Sequence, residues 1–205
     1  MSFDPAILAV PGVRSLQPYQ PGKSIEELER ELGISGIVKL ASNENPRAPS
    51  TSVGRAITQM LPELSRYPEG SGYHLKHALM DQLAVDPGQI TLGNGSNDVL
   101  ELIARAFVRP GQGVIVAQHS FAVYTLAAKS EGADLQVVPA IRWGHDLEGI
   151  REVVDSETRI VFIANPNNPT GTRVPPGDLG RFLEDVPGHV VTVVDEAYIL
   201  SLIHI

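Results

Sequence analysis

Apolar residues recur in two rhythms along this chain, and the change between them marks its organisation. From residue 90 onward, short apolar runs alternate with segments of helical spacing. Residues 90–92, 113–117, 135–138, 159–164 and 190–194 read as strands; residues 98–108, 121–130, 147–154 and 176–184 read as helices. Apolar strands alternating with helices predict a parallel sheet covered on both faces. In such a sheet a ligand sits beyond the carboxyl ends of the strands, where loops lead into helices. Upstream the pattern is looser. The first 22 residues are proline-marked and irregular, and Ser24 with Glu27 makes a capping box for a short helix ending at Gly33. Residues 37–41 read as a strand, Ser50 or Ser52 caps a helix to about Leu61, and Leu75, Leu79 and Leu83 place another helix over residues 73–84. No internal repeat or low-complexity tract interrupts this order.

Composition narrows the classes. The 205 residues are 42% hydrophobic and 20% charged, which suits a globular chain and not a disordered one. One substantial domain and a smaller piece are expected at this length. The absence of cysteine removes Cys-ligated zinc, iron–sulfur clusters, thiol nucleophiles and a disulfide framework together. Sixteen basic against 24 acidic residues give a net charge of −8, with no Lys/Arg block to wrap nucleic acid or an anionic membrane. No run reaches transmembrane length. Asp4, two early prolines and Arg14 stand where a signal peptide needs a basic end and an unbroken apolar stretch, so a cytoplasmic protein is expected.

Three strings sit at the predicted strand ends. Gly93-Asn94-Gly95-Ser96-Asn97-Asp98 separates a strand from a helix. Its glycines allow close backbone approach, and the free N–H groups of the new helix make a phosphate cradle. The same string also reads as a plain capped turn with Ser96 or Asn97 as N-cap. Asn165-Pro166-Asn167-Asn168-Pro169-Thr170-Gly171 follows the strand over residues 159–164, and its prolines and glycine fix the directions of three amides. Asp195-Glu196-Ala197-Tyr198 closes the last strand. A carboxylate there is costly unless it meets a cation or a donor, although a solvated Asp-Glu turn is the commoner fate. Asp195 lies 27 positions after Asn168, and one right-handed crossover brings both to the same sheet edge.

Two other readings fail. Val-Val-Asp-Glu resembles the magnesium-binding end of a P-loop nucleotidase strand, but the only Gly-Lys-Ser, Gly22-Lys23-Ser24, has Gln17 where the first glycine belongs. His74 and His77 have metal-ligand spacing, yet no third ligand accompanies them, so no metal site is expected and an exposed helix face is.

Taken in order, these strings resemble the fold-type I pyridoxal-phosphate aminotransferases of class I/II, and within them the histidinol-phosphate branch. Gln17-Pro18-Tyr19, Pro21-Gly22-Lys23, Lys39-Leu-Ala-Ser-Asn-Glu-Asn-Pro46 and Arg66-Tyr67-Pro68 carry the resemblance with GNGSND, NPNNPTG and DEAY. It implies an α/β fold: a three-layer large domain with a mostly parallel sheet over residues 36–198, preceded by an arm and first helix over residues 1–35. It also implies pyridoxal 5′-phosphate as cofactor. Asp195 would hold the ring nitrogen, Asn168 and Tyr198 the phenolic oxygen, Gly95, Ser96 and Asn97 the phosphate, and Tyr124 would stack on the ring. Tyr67 would reach the cofactor phosphate of a partner subunit in a homodimer, and Tyr19 and Asn45 would face the substrate. The implied reaction exchanges an amino group between L-histidinol phosphate and 2-oxoglutarate, giving glutamate, in histidine biosynthesis. An aromatic-amino-acid transaminase, a threonine-phosphate decarboxylase and a non-catalytic pyridoxal-phosphate-binding protein are the alternatives.

The chain departs from that pattern in places. Arg47 and Ala48 replace Leu-Gly after Asn-Glu-Asn-Pro, and His119 replaces a proline before the aromatic segment. The Schiff-base lysine of the family follows DEAY, whereas the lysines here are Lys23, Lys39, Lys76 and Lys129. The expectation is a chain truncated before that lysine, inactive alone, with a foreign tail over residues 199–205.

Overall fold

The computed structural model describes residues 8–14, 16–17, 22–45 and 47–200. Tyr19 and residues 201–205 of the tail lie outside these. In chain order the helices are α1 (Pro11–Arg14), α2 (Ile25–Leu32), α3 (Thr51–Met60), α4 (Tyr73–Leu83), α5 (Ser96–Phe107), α6 (Ala122–Ser130), α7 (Leu147–Val153) and α8 (Pro176–Asp185). The strands are β1 (Gly113–Ala117), β2 (Asp134–Val138), β3 (Thr158–Ala164) and β4 (Val191–Asp195). Contacts divide the chain into two units: residues 1–19 with 93–205, and residues 20–92.

The first unit is built on a four-stranded parallel sheet of order β2-β1-β3-β4. The apolar runs become its central strands because both faces are covered. Val114, Val116, Ile160, Phe162 and Ala164 point to one face, where they pack with Leu100 of α5 and Val123, Tyr124 and Ala128 of α6. Ile115, Val161 and Ile163 point to the other, against Ile150 of α7 and Phe182 of α8. The period of two thus sorts one apolar run into two cores. Gly113 suits a close approach, since a Cβ there would lie 3.1 Å from the Cα of Thr158. β4 is different. It forms the edge of the sheet and is only half-buried along its length, rather than covered on both faces as its sequence suggested.

The second unit has local order without a core. Ser24 caps α2 by accepting from the Glu27 N–H at 3.1 Å, and Gly33 stops it in a left-handed conformation (φ 66°). Ser50 caps α3, as one of the two expected serines. None of the described residues from 22 to 92 is buried, and Ile57, Leu64, Leu75 and Leu83 are each more than half exposed. Residues 37–41 and 90–92, read as strands, are not paired in the structure. A strand exists only by satisfying its backbone groups on a neighbour, and neither segment has one among the described residues. Residues 20–35 thus group with residues 36–92, and residues 1–19 with residues 93–205.

Among the described residues no helix is long and apolar enough to cross a membrane. His74 is exposed and His77 half-buried, its Nδ1 lying 2.8 Å from the Tyr73 carbonyl one turn back.

Candidate functional site

The sheet register creates the site. Ala164, the last residue of β3, sits directly across from Asp195, the last of β4, and the Asn165 N–H donates to the Asp195 carbonyl at 2.9 Å. The two strand-end strings therefore leave the sheet side by side. Alternation along β4 puts Asp195 on the same face as Val191 and Val193, the face covered by α5 and α6. A small cleft of about 60 Å³ opens there, lined by Ser96, Phe121, Asn168, Asp195 and Tyr198 together with Tyr124. Three separate strings thus converge on one cleft.

Each wall has a local cause. Gly95, not Ser96 or Asn97, is the N-cap of α5, and its φ of 83° suits glycine. No side chain caps this helix start, so its first N–H groups remain available to an anion. The Asp98 carboxylate closes the loop behind it by accepting from the Asn94 N–H at 3.0 Å. A Cβ at Gly93 would come within 2.8 Å of Val99, so the loop fits only with glycine.

The three amides of the second string divide their work. Asn165 is buried and exchanges hydrogen bonds with Val174 (Oδ1 to the N–H at 2.9 Å, Nδ2 to the carbonyl at 3.2 Å), pinning the loop exit. Asn167 is also buried; its Nδ2 donates to the His119 carbonyl at 3.1 Å and to Thr170 Oγ1 at 2.7 Å. Asn168 faces the cleft, and its side chain has no hydrogen-bond partner among the described residues. Of the three, Asn168 alone is placed for a ligand.

Asp195 is held from both sides. Its Oδ1 accepts from the Ala197 N–H at 3.0 Å, and its Oδ2 accepts from the Tyr124 hydroxyl at 2.6 Å. Tyr124 is fully buried, with its ring stacked on Phe162 at 4.9 Å and 2°. Burial pushes its phenol far above the ordinary value, and the bond to Asp195 pushes the same way. Tyr124 thus lines the cleft with its hydroxyl committed to Asp195 and its ring stacked on Phe162. Phe121, one turn earlier and edge-on to Tyr124, is the half-buried aromatic that lines the cleft.

The raised phenol has a consequence for stability. The neutral phenol is favoured in the folded chain, so its contribution is complete below the ordinary value of 10.0 and is lost as pH rises through the folded value. Tyr124→Phe is expected to cost about 1–2 kcal/mol at neutral pH through the lost hydrogen bond to a carboxylate. Urea unfolding measured at neutral and alkaline pH should also show a shallower alkaline loss in the variant than in the parent.

Two further features were not read from the sequence. His145 Nε2 lies 2.8 Å from the carbonyl of Ala164, bracing the end of β3, and burial lowers its pKa. A larger hollow of about 740 Å³, lined by His145, Arg173 and Phe182 among others, lies at α7 and α8 and contains none of the strand-end residues. Asn45 and Tyr67 belong to the second unit. Asn45 Oδ1 accepts from the Arg47 N–H at 3.0 Å, and Tyr67 is completely exposed.

A parallel sheet whose strand ends offer a glycine-led helix start, an amide and a braced carboxylate defines a class of phosphate-bearing cofactor enzymes. Residues 35–202 match the family described as aminotransferase class I and II, and the chain belongs to that family. It is 53% identical over 201 residues to histidinol-phosphate aminotransferase 2 of Pseudomonas fluorescens Pf-5, covering 97% of this chain and 54% of that protein. The corresponding protein of Pseudomonas aeruginosa is 54% identical over 194 residues, covering 94% and 53% respectively. The chain thus spans about half the length of the curated relatives it matches. Among solved structures, the histidinol-phosphate aminotransferase of Sinorhizobium meliloti, described in complex with pyridoxal-5′-phosphate, aligns with a TM-score of 0.83 and 30% identity over 92% of this chain and 50% of that one.

Proposed function

We propose that this chain carries the cofactor-binding part of a pyridoxal-phosphate-dependent transaminase acting between L-histidinol phosphate and 2-oxoglutarate in cytoplasmic histidine biosynthesis. The observation that carries this reading is the convergence of GNGSND, NPNNPTG and DEAY on one cleft, in a chain more than half identical to proteins of that name.

The donor set fits pyridoxal 5′-phosphate. The uncapped start of α5, with Gly95, Ser96 and Asn97, suits the phosphate. Asp195 suits a protonated ring nitrogen, Asn168 and Tyr198 a phenolic oxygen, and Phe121 a ring face. When bound, the cofactor supplies an electron-withdrawing ring that acidifies the amino-acid α-carbon. The chain's residues set the conditions. The Asp195 carboxylate would hold the proton on the ring nitrogen, and Tyr124 and the Ala197 N–H hold that carboxylate in one orientation. Asn168 and Tyr198 would donate to the phenolic oxygen, and Phe121 would cover a ring face.

The second unit's apolar faces call for a partner, and a second copy of the chain is the occupant we propose. Tyr67, fully exposed on that unit, is the residue assigned to reach the partner's cofactor. Tyr19 and Asn45 remain the proposed substrate-side residues. Exposed Val38, Leu40, Ile57 and Leu64 favour association over an isolated monomer. Size-exclusion chromatography is expected to give a dimer or larger species; a monodisperse monomer with sharp thermal unfolding would contradict this.

A further inference from the structure

Five residues close a ring of contacts beside the turn that presents Asn168. Thr172 Oγ1 donates to the Trp143 carbonyl at 3.2 Å. The Thr170 and Thr172 hydroxyls are 2.9 Å apart, and Asn167 Nδ2 donates both to Thr170 Oγ1 and to the His119 carbonyl. The His119 ring completes the circuit, 4.9 Å from the ring of Trp143. Proton directions follow from the donor inventory. The single hydroxyl proton of Thr172 goes to Trp143, so Thr170 must donate to Thr172 and can then only accept from Asn167. The chain of donors runs one way, which lets each bond strengthen the next.

The backbone around this ring is unusual. Five non-glycine residues among those described have left-handed φ, and three belong here: His119 (61°), Arg142 (51°) and Trp143 (67°). Bulky L-residues hold that conformation only where their surroundings over-determine it. Arg142 and Trp143 form a two-residue turn closed by the Ile141–Gly144 bridge, although neither is the glycine or asparagine such a turn favours. A proline at residue 119 could not take a φ of 61°, so this arrangement requires a residue other than proline there. None of the five ring residues lines the cleft. Their connection to it is Asn167, which precedes Asn168 and is itself tied to the turn through its N–H to the Thr172 carbonyl and its carbonyl to the Gly171 N–H, both at 2.8 Å.

We propose that the ring of His119, Trp143, Thr172, Thr170 and Asn167 is a positioning device that sets the direction of the Asn168 amide into the cleft, with Trp143 and His119 as positioning residues. This rests on the cofactor reading above.

The test is titration with pyridoxal 5′-phosphate of the parent chain, Asn168→Ala, Trp143→Ala, Trp143→Phe and the Trp143→Ala/Asn168→Ala pair, with thermal unfolding as the control for folding. Trp143→Ala is expected to weaken binding about tenfold, equivalent to about 1.4 kcal/mol, and to shift the cofactor's absorption band in the same direction as Asn168→Ala. Trp143→Phe should recover most of the affinity. The pair should be no weaker than Asn168→Ala alone, because Trp143 acts through that residue. If Trp143→Ala unfolds, Thr172→Val breaks the same ring in a nearly isosteric way and should show the same non-additivity. Additive losses, or an unshifted band in a folded variant, overturn the positioning role. Absence of saturable binding by the parent chain overturns the cofactor reading itself, and the device's purpose with it.

Discussion

Supplied with pyridoxal 5′-phosphate, L-histidinol phosphate and 2-oxoglutarate, the 205-residue chain alone is expected to give no transamination above the cofactor's own background. The reaction needs an amine that bonds the cofactor and moves the α-proton, and none of the four lysines here is among the residues that line the cleft. Lys129 stands in the last turn of α6, about 12 Å along the helix from Phe121 at 1.5 Å per residue. Lys23 and Lys39 are ion-paired within their own unit, to Glu31 at 2.5 Å and Glu44 at 3.0 Å. Lys76 is on α4. Loss of general acid–base catalysis alone removes about 10²–10⁴-fold in rate, and loss of the covalent link removes more. A coupled 2-oxoglutarate assay measures this. Turnover that disappears when one of these four lysines is substituted would overturn both the alignment of the strings and the proposed inactivity.

The second large effect belongs to Asp195. Asp195→Asn is expected to weaken pyridoxal-phosphate binding roughly 10- to 150-fold, the equivalent of a charge-assisted hydrogen bond of about 1.5–3 kcal/mol. Folding should change less, because the asparagine oxygen can still accept from Tyr124 or from the Ala197 N–H. Binding measured by equilibrium dialysis, beside a thermal unfolding curve, separates the two. Unchanged affinity in a folded variant would leave Asp195 as an ordinary solvated strand end.

Much of this was legible in the sequence, for identifiable reasons. β1 and residues 160–164 of β3 are unbroken apolar runs, and such runs are stable only when both faces are covered, so their place in the sheet centre follows from composition. That Asn168 and Asp195 meet at one sheet edge followed from one crossover. The failures are equally specific. Residues 37–41 and 90–92 have strand composition, but pairing depends on a neighbour that composition does not supply. Phe121 and Tyr124 lie three residues apart on adjoining turns and both line the cleft, so spacing alone does not say which of them also packs into the core; Tyr124 does, stacked on Phe162. The left-handed backbone of His119, Arg142 and Trp143 was invisible because none is a residue that signals it. The replacement of proline by His119 was visible, while its meaning depended on Trp143 and Asn167, distant in sequence.

The most direct test of the cofactor cleft is a binding comparison between pyridoxal 5′-phosphate and pyridoxal, in the parent chain and in Asp195→Asn, with the bound cofactor counted per chain. The expected result is one saturable site per chain that needs the phosphate and is weakened by Asp195→Asn. Non-saturating uptake, equal for the two compounds and unaffected by the substitution, would be random reaction with surface lysines and would contradict a cofactor site at these strand ends.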